Sequence, residues 1–472
     1  MLLINLVNYI FLTVLNITII ADQPLIRAFP GAEGFGKYAT GGRGGKIAEV
    51  TNLDDDGEGS FRQALKQFPD TPITIIFKVS GTIELKTDIK VNRSDITIAG
   101  QTAPGDGICL KNRSIIINGA SNRKKGNHGN IIIRYLRSRP GGTAAKGLYG
   151  IDIENCHDII LDHCSFSWAN EECVAIYDTR NTTVQWCIIS EGLYNAGHAK
   201  GNRSYCGVWG GQNASYHHNL IVNQNSRTVR FNGSRAHDTL ALVDYRNNVI
   251  YNWGSANACY GGDVNIADGR SSINMVNNYY FPGPATAANL KFAKADYDIK
   301  KAKGYGIWYL HGNVMKGNDA LSNNNKTGID LTELPSTERS KAMADRPFII
   351  NRFAEITMQS AKEAFKIVLK NAGANYPKSD GIDQRIFQEI RTNNPSGMGT
   401  FGKPGIIDSP AAVGGWSVYS SVPCPADTDH DGMPDKWELS MGLNPENAED
   451  RNETDKTGYT MIEVYLAKLV KK

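Results

Sequence analysis

The chain has 472 residues, a length that excludes a single ordinary compact domain unless that domain is an elongated repeat structure. Its formal net charge is only +3, so composition predicts no nucleic-acid partner, although it permits a locally basic groove for an acidic polymer. Charged residues make up 21% of the chain and there are 48 glycines, which favours a turn-rich all-β body over a helical bundle.

The N-terminal twenty residues carry no charged side chain and are followed by a polar break that begins with Ala21 and Asp22. This pattern predicts a signal peptide over residues 1–21, although the usual basic residue near the start is missing. A single N-terminal membrane anchor is the alternative, and the length just permits it. Removal of the signal would give a secreted protein (extracellular, periplasmic or at the cell surface) without stable membrane insertion.

Short β-rich segments recur along the middle of the chain at intervals of about 25–35 residues, within the range of solenoid repeats. They begin at Ser94, Asn130, His157, Thr182, Ala214, Leu240 and Ile273. Each segment alternates apolar with polar or aromatic residues, as expected of strands that stack into coils and share one core. Asn219, Asn248 and Asn278 recur at matching places, which predicts a buried ladder of hydrogen-bonded amides rather than ordinary surface turns.

The repeat pattern fades after Pro284, where the chain becomes mixed and lysine-rich. Two amphipathic patterns, which begin at Ser360 and Gly381, predict helices that pack against the stack or cap it. The sequence therefore predicts a repeat domain over residues 22–285, a mixed extension over 286–425 and a distinct C-terminal segment over 426–472.

Eight cysteines form an even count, which invites disulfides in an exported protein. Most of them lie in apolar strand-like runs, as Cys164 and Cys187 do, so buried free thiols are an equal alternative. No pair has the spacing of a zinc-binding motif, and a zinc site has little support.

The most specific local motif is the acidic stretch DTDHDGMPDKWE at residues 427–438. Its spacing matches a calcium loop in which carboxylates occupy the ligand positions and Gly432 allows a sharp turn. The predicted ligands are Asp427, Asp429, Asp431, the backbone carbonyl of Met433, Asp435 and Glu438. These carboxylates would repel one another without a cation, so a solvated acidic turn is the weaker alternative. The loop adjoins a terminal helical pattern, which favours a structural calcium ion.

Basic groups concentrate on the predicted solenoid between residues 190 and 246. The candidates to line one face and bind an acidic ligand are Lys200, Arg227, Arg230 and Arg235. A guanidinium group can donate two parallel hydrogen bonds to one carboxylate, which suits such a ligand. From composition alone, a solvated charged surface is the simpler interpretation.

Several phrases in order resemble the pectate lyases of polysaccharide lyase family one, from AFPGAEGFG at Ala28 through GQTAPGDGI, LDHCSFSW and TVQWCIISEGL to SRTVRFNG. The resemblance runs to Pro284, and the tail is similar to secreted members that end in a calcium loop. It implies an all-β right-handed parallel β-helix with a small helical and calcium-loop extension, which cleaves galacturonan by β-elimination. It also implies that Arg227 is the base, and that Arg230 and Lys200 hold substrate carboxylates.

An arginine base is chemically unusual, because an ordinary guanidinium hardly gives up its proton. We expect neighbouring cations, namely calcium, Lys200 and Arg230, to favour the neutral form of Arg227.

The resemblance further implies a catalytic Ca²⁺ that bridges enzyme and substrate, and here the sequence departs from the family. The first carboxylate position falls at Tyr149, or at Gly147 with a gap, and Asp152 is out of phase. The second position reads Glu171 and Glu172, which can both supply oxygen ligands. The sequence thus predicts a weakened catalytic calcium site.

The leading hypothesis is a calcium-assisted pectate lyase that acts as a monomer on an acidic polysaccharide. A pectin lyase that acts on methylated substrate is the nearest alternative, because a neutral ester needs no calcium bridge. A hydrolase would need closely set acid and base carboxylates, and the repeats offer no fitting pair. A catalytically weak pectin-binding surface protein remains the alternative from another class.

Overall fold

The computed structural model describes residues 25–119, 128–351 and 354–471. The predicted signal peptide at residues 1–21 lies outside these residues. Within the described ranges, no helix is long and apolar enough to cross a membrane.

Strands dominate the regular structure, and helices are few. The strands of the first coils are β1 Lys46–Val50, β2 Ile73–Phe77, β3 Gly81–Glu84, β4 Ile89–Lys90, β5 Ile96–Ala99, β6 Ile108–Lys111, β7 Ile115–Asn118, β8 His128–Arg134, β9 Arg137–Arg139, β10 Ile151–Glu154, β11 Cys156–Asp162, β12 Ser165–Ser167, β13 Val174–Tyr177 and β14 Arg180–Gln185. The later strands are β15 Ile188–Ser190, β16 Val208–Trp209, β17 Gln212–His217, β18 Leu220–Val222, β19 Arg230–Phe231, β20 Leu240–Arg246, β21 Val249–Tyr251, β22 Asn257–Gly261, β23 Arg270–Val276, β24 Tyr279–Phe281, β25 Lys291–Ala295, β26 Ile307–His311, β27 Val314–Met315 and β28 Ile329–Asp330. The α-helices are α1 Phe61–Ala64, α2 Asp319–Asn323, α3 Ala361–Asn371, α4 Gly381–Thr392, α5 Asp435–Met441 and α6 Met461–Leu469.

The strands form three parallel sheets that run along the stack. Sheet 1 contains β1, β2, β5, β8, β11, β14, β17, β20, β23 and β26. Sheet 2 runs from β3 through every third strand to β27, and sheet 3 runs from β4 through every third strand to β28. Each coil therefore contributes one strand to each sheet in turn, and neighbouring coils pair in parallel. The chain is a right-handed parallel β-helix, which confirms the predicted fold class.

Apolar side chains stack in columns inside the coils. One column on sheet 1 follows the strand register from coil to coil and is buried throughout: Ile98, Ile133, Leu161, Val184, Tyr216, Tyr245, Met275 and Leu310. A single strand cannot bury such a face by itself, so the stacking of coils makes the core continuous.

The predicted asparagine ladder is confirmed and is longer than expected. The side-chain oxygen of Asn248 accepts from both the backbone and the side chain of Asn219, at 3.0 Å each. The same pattern continues from Asn248 to Asn278 and from Asn278 to Asn313, and it ends at Asn325. All five are buried, so the ladder satisfies amides that the interior of the turn would otherwise leave without partners.

The β-helix continues beyond residue 285, where the sequence placed the end of the repeat domain. Strands β25 and β28 extend sheet 3 to Asp330, and β26 and β27 extend the other two sheets. The reason for the difference is composition: β25 reads KFAKA, in which Lys291 and Lys294 are half-buried while Phe292 is fully buried. The lysines on the outer face of β25 made this segment look unlike a strand in the sequence.

The extension and the C-terminal segment pack against different sheets of the β-helix. Helices α3 and α4 begin where predicted, with Ser360 and Asp380 as N-caps, and they bury apolar residues against sheet 2. Met433 and the buried face of α6 pack near Ala99 of sheet 1.

The cysteines are free thiols, seven of them buried, which agrees with one of the two alternatives left open by the sequence.

Candidate active site

An open groove of about 460 Å³ lies on sheet 3, and both carboxylates and cations line it. The lining comes from β10, β13, β16 and β19, from the segments that precede these strands and from the segment that follows β19. Every residue that the sequence analysis placed near the substrate lines this one groove: Glu171, Glu172, Lys200, Arg227, Arg230 and Arg235. The stacking of coils therefore brings together residues that lie on successive turns of the β-helix.

Arg227 lies just before β19, with a left-handed backbone φ of 52°. Its guanidinium forms an ion pair with the carboxylate of Glu172. Its Nε donates a hydrogen bond to the hydroxyl of Tyr260 at 3.0 Å, and the ring of Tyr205 lies 4.3 Å from the guanidinium carbon. The Arg227 side chain is 20% exposed, so it remains accessible from the groove while three neighbours fix its orientation.

The electrostatic surroundings of Arg227 differ from those expected. Burial lowers the pKa of Arg227, but the carboxylate of Glu172 and the hydroxyl of Tyr260 outweigh burial and hold the pKa above its ordinary value. We expected neighbouring cations to favour the neutral form of Arg227, and this expectation was wrong. The strongest charged partner of Arg227 is an anion, Glu172, which favours the protonated form. The sequence could not reveal this, because Glu172 lies two coils away along the chain.

Arg230 and Arg235 share one carboxylate. Arg230 contacts Oδ1 of Asp263 at 3.1 Å, and Arg235 contacts Oδ2 of the same residue at 2.9 Å. Burial and the neighbouring charge of Arg230 lower the pKa of Arg235. The shared carboxylate orders two guanidinium groups beside each other at the edge of the groove, an arrangement suited to the carboxylates of an acidic polymer.

Glu171 and Lys200 line the groove from the segments before β13 and β16. The carboxylate of Glu171 contacts the ring of His198, and Arg203 approaches it at 3.3 Å. Lys200 is exposed, and its backbone N–H donates to Nδ1 of His198 at 2.9 Å. Sequence reasoning missed Arg203, which is nearly buried and has no distinguishing local pattern.

Asp152 also lines the groove, although the family resemblance had set it aside as out of phase. It lies in β10 with its neighbours Ile151 and Ile153 buried, so the alternation of the strand directs Asp152 outward. Burial raises its pKa to about 8, and the charges of Glu154 and Glu172 act in the same direction. Asp152 therefore adds a carboxylate to the same groove that Tyr149 lines.

The acidic stretch of the C-terminal segment folds into a compact loop. Oxygens of Asp427, Asp429 and Asp431 converge within 4.8 Å of one another. Asp431 also converges within the same distance with Glu438 and with Asp450, a residue beyond the predicted loop. Among the described residues, these two overlapping groups are where acidic, histidine or cysteine ligand atoms meet so closely.

One predicted loop ligand, Asp435, has other partners. The carboxylate of Asp435 accepts hydrogen bonds from the backbone N–H and from the hydroxyl of Thr428, at 2.7 Å each. Met433 is buried, and its backbone N–H donates to the carboxylate of Asp431 at 2.8 Å.

Comparison with known proteins agrees with this fold. The chain is 33% identical over 446 residues to the probable pectate lyase C of Aspergillus flavus, a match that covers 94% of each protein. It is 32% identical over 461 residues to the probable pectate lyase C of Emericella nidulans, with 96% of each covered. The cedar pollen allergen jun a 1 superposes with a TM-score of 0.50 at 16% identity, over 72% of this chain and 92% of the allergen.

No protein-family model matches the chain. A parallel β-helix with a charged groove on one sheet is an architecture suited to a polysaccharide-active enzyme. Because the identity to the fungal relatives extends over almost the whole of both chains, the chain belongs to the pectate lyase family.

Proposed function

We propose that this protein cleaves galacturonan by β-elimination and that Arg227 is the catalytic base. Arg227 removes the proton at C5 of a uronate, the C4–O4 bond breaks, and its electron pair leaves on O4 while a double bond forms between C4 and C5. The departing O4 takes a proton from solvent. The observation that carries this proposal is the accessible guanidinium of Arg227 in a groove that also holds Lys200, Arg230 and Arg235.

The other three cations would hold uronate carboxylates. Arg230 and Arg235 are ordered side by side on Asp263, which prepares them for bidentate contacts. Lys200 is exposed and free to reach a neighbouring sugar. Neutralisation of the carboxylate next to C5 acidifies the proton that Arg227 removes, because the negative charge that develops is delocalised onto that carboxylate.

A catalytic calcium ion fits the groove in charge and ligand type. Asp152 would supply the carboxylate that is missing at Tyr149, and burial together with the charges of Glu154 and Glu172 raises its pKa. Glu171 and Glu172 supply further oxygens, although both contact cationic side chains of the protein. When bound, Ca²⁺ would supply Lewis-acid neutralisation of the uronate carboxylate. Glu172 would then divide its charge between the ion and Arg227.

A second calcium ion is proposed in the C-terminal loop, with Asp427, Asp429, Asp431 and Glu438 as ligands. The convergence of the first three within 4.8 Å supports it. Burial and the neighbouring carboxylates raise the pKa of Glu438 to about 8, the direction expected where anions are crowded without a counter-ion. This ion would be structural, since the loop packs on sheet 1 and the groove lies on sheet 3.

The proposed site of action is outside the cell, after removal of residues 1–21. An acidic polysaccharide is the substrate that the cationic groove suits, and the groove is complete within one chain, which supports a monomeric enzyme. Separation of the mature protein by cell fractionation tests the first point, and light scattering tests the second.

Purified protein incubated with polygalacturonate and calcium should release unsaturated uronates, which absorb ultraviolet light. Arg227→Ala should lower turnover by roughly 10²–10⁴-fold, the contribution of a general base, while binding of the polymer is retained. Arg180→Ala is the matched control, because Arg180 is exposed on sheet 1, away from the groove. Absence of unsaturated product across neutral to alkaline pH, on polygalacturonate and on methylated pectin alike, would overturn the lyase proposal.

A further inference from the structure

Asp450 lies outside the predicted calcium loop, yet its carboxylate meets the last ligand of that loop. Ligand oxygens of Asp431, Glu438 and Asp450 lie within 4.8 Å of one another, and the three residues are buried. We infer that Asp450 completes the metal site in the place that the loop spacing gives to Asp435, and that the bound ion fastens the C-terminal segment to the first coils. This inference rests on the proposed calcium loop.

Buried oxygens without partners point to a ligand at this site. Glu438 is 0% exposed, and neither of its carboxylate oxygens has a hydrogen-bond partner among the described residues. Oδ2 of Asp431 and Oδ1 of Asp450 are also buried, and the residues that the structure describes offer them no hydrogen-bond partner. Oδ2 of Asp450 accepts from the backbone of Asn444 at 2.9 Å, which holds the side chain in place with its other oxygen facing the cluster. A divalent cation with several oxygen ligands would satisfy these groups together and remove their mutual repulsion.

Asp435 is already satisfied by other contacts. Its two oxygens bond to the backbone and the hydroxyl of Thr428, so they fasten the start of the loop to the first turn of α5. Asp435 is therefore expected to shape the loop, whereas Glu438 and Asp450 are expected to bind the ion.

The metal site is bonded on two sides to the start of the β-helix. Asp427, at one end of the acidic cluster, pairs with Lys78, which follows β2, at 2.6 Å. At the other end, Arg451 donates from two nitrogens to the carbonyl of Gly45, which precedes β1, at 3.2 Å each. An ion bound between Asp427 and Asp450 would therefore hold together the two places at which the C-terminal segment contacts the first two strands of sheet 1.

Matched amide substitutions distinguish the two candidate ligands in the full-length protein. Terbium serves as the probe for calcium, and its luminescence is excited through Trp437, which stands one residue before Glu438. Trp437→Phe should remove the signal and so assign it to this loop. Asp450→Asn should weaken terbium binding by at least about tenfold, because a charged ligand is lost. Asp435→Asn should change it by less than about threefold, because that residue is not expected to bind the ion directly.

The reverse ranking, with a large loss for Asp435→Asn and none for Asp450→Asn, would overturn this inference and leave the calcium loop standing. If Asp431→Asn also leaves terbium binding unchanged, the proposed calcium loop fails together with it. Neither result bears on Arg227 or on the release of uronates.

Thermal unfolding gives a second readout that a purely structural Asp450 would not produce. With calcium present, Asp450→Asn should lower Tm, because a ligand is lost. With a chelator present, the same substitution should raise Tm, because it removes a buried charge from a crowded cluster. A lower Tm under both conditions would contradict the inference.

Discussion

Replacement of Glu172 by glutamine should move the pH profile of uronate release to lower pH. Glu172 forms an ion pair with Arg227, the proposed base. Burial lowers the pKa of Arg227, but Glu172 and the hydroxyl of Tyr260 outweigh burial and raise it. A base with a raised pKa keeps its proton to higher pH, so removal of the Glu172 charge lets Arg227 become neutral at lower pH.

The size of the shift follows from the exposure of the pair. The side chains of Arg227 and Glu172 are 20% and 4% exposed, so solvent screens their interaction only partly. An opposite charge in contact shifts a pKa by about one to three units. We expect about one to two units, or about 1.4–2.7 kcal/mol, because glutamine still offers an oxygen to the guanidinium and Tyr260 remains.

The assay is the initial rate of unsaturated uronate formation from neutral to strongly alkaline pH, with the position of the profile analysed separately from its height. Both Glu172 and Glu171 are proposed calcium ligands, so either glutamine substitution should lower the height. Glu171 contacts His198 and Arg203 rather than Arg227, so Glu171→Gln should leave the position unchanged. An unshifted profile in Glu172→Gln, or an equal shift in both variants, would refute the reasoning.

Two further substitutions test the ladder and the groove. Asn248→Ala should lower the free energy of unfolding by roughly 3–4 kcal/mol, since its buried amide bonds to Asn219 and to two further groups. Urea denaturation measures this, and the exposed Asn195→Ala should stay within about 0.5 kcal/mol of the parent protein. Asp152→Asn should raise the calcium concentration for half-maximal uronate release by about tenfold, because one charged ligand is lost. Exposed Asp70→Asn is its control, and equal effects in the two variants would exclude Asp152 as a ligand.

The sequence predicted the features that repeat. Asn219, Asn248 and Asn278 recur at one place in successive coils, and a repeated polar residue can be buried only if its copies satisfy one another. The basic cluster was predicted for a related reason: its residues lie close in sequence, so the fold places them on neighbouring coils of one sheet. The role of Arg227 came from the family resemblance, and its position in the groove agrees with that role.

The features that the sequence did not predict depend on contacts between distant segments. Glu172 meets Arg227 only because the coils stack, and Asp450 meets Glu438 only because the tail folds back after α5. Asp152 is a different case, because its signal was present in the alternation of Ile151, Asp152 and Ile153. Strand periodicity shows which residues face outward, and it added Asp152 to a groove that Tyr149, the position inferred from the family pattern, also lines.

The helical extension has a consequence for where a polymer can bind. Helices α3 and α4 cover part of sheet 2, and the C-terminal segment covers the start of sheet 1. On sheet 3, the described residues leave an open groove. The outward row of the strands passes from Asp152 to Arg230 within this groove, and the same row continues along the sheet to Lys294. A linear polymer that lies along this row crosses successive coils and meets carboxylates, then Arg227 and its neighbouring arginines. The two helices and the C-terminal segment therefore cover parts of two sheets, and the groove on the third sheet stays accessible to an elongated acidic substrate.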